Sequence, residues 1–150
     1  MTNVAIPARM NMSTVAPKVF KAVLRLDAAA REGLDPVLVE LVQIRASQIN
    51  RCAYCIDYHT GDARRAGETE ARIYQLSAWQ ESSLYTAKER AALALTEAVT
   101  LLPQGVEDEV YDEAARHFDD EELAQLIALI FTVNAWNRMN VTTRKTPGTE

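Results

Sequence analysis

Residues 50–67 read NRCAYCIDYHTGDARRAG, and this stretch carries the signals of one helix with its beginning and its end. Asn50 is a residue type that caps helix N-termini, because its side chain accepts a backbone N–H of the first turn. Gly67 is a residue type that ends helices, because glycine enters the left-handed conformation without a steric penalty. We therefore predict a helix that begins at Asn50 and runs to Ala66.

Two cysteines and a histidine fall on one side of this predicted helix. Cys55 follows Cys52 by three residues and precedes His59 by four, and residues at those spacings share a helix face. The thiolate is the nucleophilic form of cysteine, and a helix N-terminus or a nearby histidine lowers the pKa of a thiol. A second thiol converts a sulfenic acid into a disulfide before it oxidises further. The pattern therefore indicates two-electron thiol redox chemistry.

The roles within this group are predicted from position. Cys55 is expected to attack the substrate, because His59 lies one turn away, and Cys52 is expected to be the resolving thiol. The reverse assignment also has support, since Cys52 lies closer to the helix N-terminus. His59 is expected to act as a base or proton shuttle, a task that suits histidine near neutral pH.

The cysteine pair is also compatible with a metal site or with simple packing. A structural zinc site needs four ligands, and Cys52, Cys55 and His59 would need Glu40 or the distant His117 as the fourth. In the packing alternative both cysteines are inert core residues, since free cysteine packs as a small hydrophobe. We favour redox chemistry and expect no bound metal, because a second cysteine or histidine pair is missing. His117 is then a surface histidine near a helix end.

The rest of the chain predicts further helices and no β-sheet, because no stretch alternates apolar and polar residues for long. Helices are expected over Lys18–Arg31, from Pro36 to about Asn50, after Thr69, after Thr86, over Glu107–Phe118 and from Asp120 to about Thr143. These make an all-α bundle of about six to seven helices. Residues 1–15 are expected to form an irregular arm, residues 16–146 a single helical domain, and residues 147–150 a tail.

The last predicted helix is apolar over nearly all of its faces between Leu126 and Val133. A helix of this kind is buried on all sides. Two arrangements satisfy that requirement, namely a central position in the domain or burial against another subunit. The sequence alone does not choose between them.

The composition excludes several classes of protein. Of the 150 residues, 48% are hydrophobic and 25% charged, as in an ordinary soluble domain, and the formal net charge is −5. The basic residues are scattered, so we expect no nucleic-acid partner. No apolar run approaches the roughly 20 residues that cross a membrane, and no secretory signal begins the chain. We expect a cytoplasmic protein, in a compartment where a cysteine pair is more often catalytic than structural.

Together with Glu40, the cysteine segment resembles a known family. Glu40, the Cys52–Cys55 segment, His59 and the sequence DARRAGE at residues 62–68 are similar to the alkylhydroperoxidase AhpD-like branch of the carboxymuconolactone decarboxylase family. The similarity extends from about Leu38 to Val99. It gives meaning to Glu40, which by itself is only a carboxylate on an otherwise apolar predicted helix.

The resemblance implies an all-α fold assembled into homo-trimers or homo-hexamers. It implies that a Cys52–Cys55 dithiol reduces a hydroperoxide or a partner disulfide in antioxidant defence, with a dithiol or thioredoxin-like reductant and no bound cofactor. Glu40 would complete a proton relay with His59. Tyr54 is a departure, because the best-studied AhpD proteins have a histidine immediately before the second cysteine and a phenol is a poor base at neutral pH. An oligomeric redox sensor with little turnover is the alternative function.

Overall fold

The computed structural model describes residues 1–149, and every regular element within that range is a helix. The α-helices are α1 (Met12–Val15), α2 (Pro17–Ala30), α3 (Pro36–Ile49), α4 (Ala53–Arg65), α5 (Glu70–Gln75), α6 (Ala87–Thr100), α7 (Asp108–His117) and α8 (Asp120–Thr143). Two 3₁₀ segments, Leu76–Glu81 and Leu102–Gln104, lie after α5 and α6. The all-α prediction is confirmed. None of these helices combines the length and the apolar composition that a membrane-spanning helix needs.

The structure has more helices than the six to seven that the sequence predicts. Asn11 accepts the backbone N–H of Ser13 and caps α1, so one helical turn forms within residues 1–15, for which the sequence predicts an irregular arm. Such a short turn offers no apolar periodicity from which it could be predicted. The helix capped by Thr69 is also shorter than its apolar positions suggest, because its α-helical part ends at Gln75 and the chain continues as a 3₁₀ segment.

Local capping chemistry explains where the longer helices begin. Asp35 accepts the backbone N–H groups of residues 37 and 38, and Pro36 follows at the first helical position of α3. Thr86 and Asp119 each form a capping box with the glutamate three residues later. These side chains satisfy backbone donors that have no partner within the helix, which fixes the starts of α3, α6 and α8.

Helix α8 lies at the centre of the domain. It packs against α2, α3, α4, α6 and α7. Its fully buried apolar residues include Leu126, Leu129, Ile130 and Val133, whereas Phe131 is 47% exposed. The helices of the same chain therefore cover most of the apolar surface of α8. The sequence leaves open whether α8 lies at the centre of the domain or is buried against another subunit. The central position within one chain accounts for its apolar composition.

The junction between α3 and α4 differs from the prediction. Asn50 ends α3, and its amide group donates to the side-chain oxygens of Asn134 and Asn137 on α8 at 2.9 Å each. Arg51 adopts a left-handed conformation with φ of 55°, and Cys52 is the residue that caps α4. The prediction that Asn50 begins α4 is wrong, because its side chain is used in the contact with α8 instead.

Candidate thiol–disulfide site

Cys52 and Cys55 are joined by a disulfide at the start of α4. The Sγ atom of Cys52, the capping residue, accepts the backbone N–H of Cys55 at 3.3 Å. Both cysteines are 2% exposed. Unpaired N–H groups and the helix dipole make a helix N-terminus favourable for negative charge. The fold therefore places the two sulfurs where a thiolate is stabilised once the disulfide is reduced.

A pocket of about 170 Å³ lies beside the disulfide, and of the two cysteines it is Cys55 that lines it. Polar side chains in its wall include Asp27, Arg31, His59, Asn140 and Lys145. Aromatic side chains in its wall are Phe20, Tyr54, Tyr58 and Trp136. A small molecule that enters the pocket therefore lies beside Cys55, the residue for which the sequence predicts the attacking role.

His59 lines the same pocket one turn after Cys55. Its Nδ1 atom lies 2.9 Å from Oε2 of Glu40, and both side chains are buried. An ionised carboxylate at this distance accepts a hydrogen bond from Nδ1, which leaves Nε2 as the basic nitrogen of the ring. The two residues are 19 positions apart in the chain and meet because α3 packs against α4.

Arg31, the residue that follows the end of α2, holds Glu40 in place together with Asp27 on that helix. The guanidinium of Arg31 donates to Oε1 of Glu40 at 3.1 Å and to Oδ2 of Asp27 at 2.9 Å. The indole N–H of Trp136, on α8, donates to the other oxygen of Asp27 at 3.1 Å. Burial disfavours the charge of Arg31, but the Asp27 and Glu40 carboxylates outweigh burial and raise the pKa of the guanidinium above its usual value. Glu40 therefore lies between a permanent cation and His59.

Asn140 approaches the disulfide from α8. Its Nδ2 atom donates to Sγ of Cys55 at 3.5 Å, and the residue is 7% exposed. Hydrogen bonds to an ionised acceptor are roughly twice as strong as those to a neutral one. The contact therefore stabilises a Cys55 thiolate more than it stabilises the disulfide.

Tyr54 and Tyr58 form a stacked pair one turn apart on α4, with ring centroids 6.2 Å apart. The Asp62 carboxylate, followed by partial burial, raises the pKa of Tyr58 above its usual value, so this phenol stays protonated at neutral pH. The ammonium of Lys145 lies 4.4 Å from the centroid of the Tyr54 ring. Tyr54, the residue immediately before Cys55, is therefore part of an aromatic wall that carries a cation.

The residues that offer metal ligands are already engaged with one another or with cations. Glu40, His59 and Asp62 each place one potential ligand atom within 4.8 Å of the others. The two carboxylates bind arginines, and His59 binds Glu40. The cysteine sulfurs are bonded to each other, and His117 contacts Glu113 on its own helix. The zinc hypothesis therefore lacks a set of four available ligands among residues 1–149 in this disulfide form.

The sequence named four site residues, and the structure places all of them at the interface of α3 and α4. The sequence did not identify five further residues, which are Asp27, Arg31, Trp136, Asn140 and Lys145. A signal was present for some of them. Phe20, Leu24, Asp27 and Arg31 follow one another at helical spacing, and asparagines recur every three residues at positions 134, 137 and 140 of α8. Such patterns show which residues share a helix face, but they do not show which helix that face meets.

The chain matches the model of the carboxymuconolactone decarboxylase family over residues 17–98. A curated relative, the uncharacterized protein YdfG of Bacillus subtilis, is 41% identical over 135 residues. The aligned part covers 89% of this chain and 92% of YdfG. The matched family segment contains Glu40, both cysteines and His59, whereas Trp136, Asn140 and Lys145 lie beyond its end.

Solved structures show the same fold. ATU0492 of Agrobacterium tumefaciens, a protein of unknown function provisionally assigned as the antioxidant defence protein AhpD, superposes with a TM-score of 0.92 at 36% identity and covers 96% of this chain and 100% of its own. A variant of the debrominase Bmp8 in complex with 2,3,4-tribromopyrrole has a TM-score of 0.74 at 24% identity over 86% of this chain and 70% of its own, a likeness of fold alone. The chain thus belongs to the carboxymuconolactone decarboxylase family and has the AhpD-like fold.

Proposed function

We propose that the protein is a cysteine-dependent peroxidase that reduces organic hydroperoxides through a Cys52–Cys55 dithiol and disulfide cycle. The observation that carries the proposal is the shared pocket, which Cys55 and His59 both line, while Glu40 contacts His59 from behind and Cys52 is bonded to Cys55. The assignment of ATU0492 to antioxidant defence supports the same activity.

The first step oxidises Cys55. Its thiolate attacks the O–O bond of the hydroperoxide, the sulfur–oxygen bond forms as the O–O bond breaks, and an alkoxide leaves. His59 takes the proton that the Cys55 thiol releases and delivers it to the alkoxide, so the products are a sulfenic acid and an alcohol. Glu40 accepts a hydrogen bond from Nδ1 of His59 and orients Nε2 for this transfer.

The second step forms the disulfide that the structure contains. The thiol of Cys52 attacks the sulfenic sulfur of Cys55, and the hydroxyl group leaves as water after it takes up the thiol proton. A dithiol partner, such as a thioredoxin-like protein, then reduces the disulfide and is itself oxidised. The cycle needs no bound cofactor. It suits the cytoplasm, where such reductants keep thiols reduced.

A stoichiometric oxidation of the reduced protein tests this proposal. Addition of cumene hydroperoxide, one molecule per protein chain, is expected to remove both free thiols together and to yield one cumyl alcohol. The Cys55→Ser variant is expected to retain its remaining thiol. The Cys52→Ser variant is expected to accumulate a sulfenic acid that dimedone traps. The His59→Ala variant is expected to react on the order of 10²-fold more slowly, as for the loss of a general base.

The matched control for His59→Ala is His117→Ala, because His117 lies on α7 and contacts Glu113. That variant is expected to react at the wild-type rate. Survival of both thiols for hours in the wild-type protein would contradict the proposal. Oxidation that stops after one equivalent even with excess dithiol would instead favour the alternative, an oligomeric redox sensor with little turnover. Both the peroxidase proposal and the redox-sensor alternative include assembly into homo-trimers or homo-hexamers, and sedimentation measures this assembly.

A further inference from the structure

We propose that the pocket beside Cys55 takes a small organic molecule with one aromatic or branched apolar group and one carboxylate, and that Lys145 binds the carboxylate. The natural substrate would then be an acidic hydroperoxide of that size. The peroxide part of this inference rests on the function proposed above. The choice of ligand class rests on the pocket itself and is tested without any redox reaction.

Lys145 reaches the pocket because α8 ends in a tight turn. Arg144 adopts the left-handed conformation with φ of 57°, and the backbone N–H of Lys145 donates to the carbonyl oxygen of Asn140 at 2.9 Å. This turn brings residue 145 back along the last turn of the helix, next to the side chain that contacts Cys55. The ammonium then lies 4.4 Å from the centre of the Tyr54 ring, in the pocket wall.

The other charged groups around the pocket are paired with one another. Arg31 binds both Asp27 and Glu40, and His59 binds the second oxygen of Glu40. Among the described residues 1–149, no carboxylate forms an ion pair with Lys145. Lys145 is therefore the lining cation that remains available to a negatively charged ligand, and its half-buried position reduces the screening of that charge by water.

The size and the wall of the pocket define the rest of the ligand. Its volume of about 170 Å³ is close to the roughly 150 Å³ of a cavity that holds one benzene molecule. The rings of Phe20 and Trp136 and the side chain of Leu24 provide apolar surface against which such a group packs. A single ring fits this volume and its substituents extend to the open side of the pocket, whereas most of a long acyl chain would lie outside it. The geometry therefore favours a ring or a branched alkyl group over a fatty acid.

Binding of two redox-inert probes tests the inference on the disulfide form of the protein. The probes are 2-phenyl-2-propanol and its para-carboxylate, which differ only in the charged group and correspond to alcohol products of such hydroperoxides. Isothermal titration calorimetry is expected to show about tenfold tighter binding of the carboxylate, which corresponds to about 1.4 kcal/mol. This preference is expected to vanish in Lys145→Met and to weaken as salt is added.

The matched control is Lys18→Met. Lys18 is exposed on α2, two residues before the pocket-lining Phe20, and this spacing rotates its side chain about 200° around the helix axis from that of Phe20. This variant is expected to keep the wild-type preference. Equal binding of the two probes by the wild-type protein, or no binding of either, would overturn the inference. A carboxylate preference that survives in Lys145→Met would overturn the role of Lys145. Thiol oxidation by cumene hydroperoxide is measured separately, so failure of the peroxidase proposal is distinguishable from failure of this one.

Discussion

Asn140 is the residue through which the central helix touches the reacting sulfur. Its amide donates to Sγ of Cys55, while its backbone carbonyl accepts the N–H of Lys145. Asn137, one turn earlier, donates to the hydroxyl of Ser47 on α3, and within residues 1–149 it forms no hydrogen bond to a cysteine sulfur. The two asparagines are both buried, so a comparison between them separates an effect on the sulfur from a general loss of packing.

We expect Asn140→Ala to make Cys55 less reactive at neutral pH. The change is introduced into Cys52→Ser, so that Cys55 is the one thiol, and alkylation by iodoacetamide is followed as a function of pH. Loss of a hydrogen bond to the thiolate is expected to move the midpoint of this profile upward by about one pH unit, which corresponds to about 1.4 kcal/mol. The rate below the midpoint then falls about tenfold, because the reactive thiolate is scarcer by that factor.

Asn137→Ala is the control for this experiment. It is expected to destabilise the fold by about 1–3 kcal/mol, because the Ser47 hydroxyl loses its donor and the Asn50 amide loses one acceptor. When Asn137→Ala is introduced into Cys52→Ser, the pH midpoint of Cys55 alkylation is nevertheless expected to equal that of Cys52→Ser alone. An equal shift in both variants would show that Asn140 acts through packing and not through its contact with the sulfur.

At the scale of elements, the junction of α3 and α4 determines where the cysteines lie. Asn50 ends α3 against α8, a single left-handed residue reverses the chain, and Cys52 then caps α4. The backbone N–H of Cys52 donates to the carbonyl of Ser47 at 3.0 Å, which anchors the cap to the preceding helix. The left-handed residue is Arg51, an exposed side chain for which this conformation is unfavourable.

We expect Arg51→Gly to stabilise the protein, which is unusual for a glycine substitution. Relief of the left-handed conformation is worth about 1–2 kcal/mol. The greater freedom of glycine in the unfolded chain offsets roughly 0.5–1 kcal/mol of that gain. The free energy of unfolding, measured by urea denaturation with the disulfide intact, should therefore rise by about 0.5–1 kcal/mol.

The control is Arg25→Gly, an exposed arginine in the interior of α2. Glycine there is expected to lower the free energy of unfolding by about 1 kcal/mol, because it replaces a good helix former. The two substitutions should thus have opposite signs. A loss of stability in Arg51→Gly comparable with that in Arg25→Gly would mean that the arginine side chain makes a stabilising contribution larger than the backbone strain.

For the molecule as a whole, the sequence predicts those parts of the fold that depend on contacts between residues close together in the chain. The caps at Asp35, Thr86 and Asp119 are visible in the sequence, because each uses a side chain within three residues of the donors it satisfies. Asn50 shows where this reasoning fails. Its side chain is of a type that caps the following helix, but it binds Asn134 and Asn137 on α8 instead. The tertiary contact therefore determines that Asn50 ends α3 and does not begin α4.

The candidate site likewise has one part that the spacing along a single helix predicts and one part that depends on tertiary contacts. The spacing of Cys52, Cys55 and His59 places them together on α4 without any knowledge of the tertiary structure. Glu40 was assigned only through the resemblance to a family, because its partner His59 is 19 residues away. Arg31 and Asn140 reach the site from α2 and α8, and nothing in the spacing of one helix specifies which other helix its polar face will meet.

Adjacent residues on α8 test whether this helix is buried within one chain or against a second copy. Ile130 is fully buried by the helices of its own chain, whereas Phe131 is 47% exposed. Ile130→Ala is expected to lower the free energy of unfolding by about 2–5 kcal/mol, because it leaves a cavity. Phe131→Ala is expected to cost about 1–1.5 kcal/mol, since half of the ring is already in water. Urea denaturation at two protein concentrations measures both. A cost for Phe131→Ala equal to that for Ile130→Ala, together with a dependence on concentration, would place this face in a subunit interface.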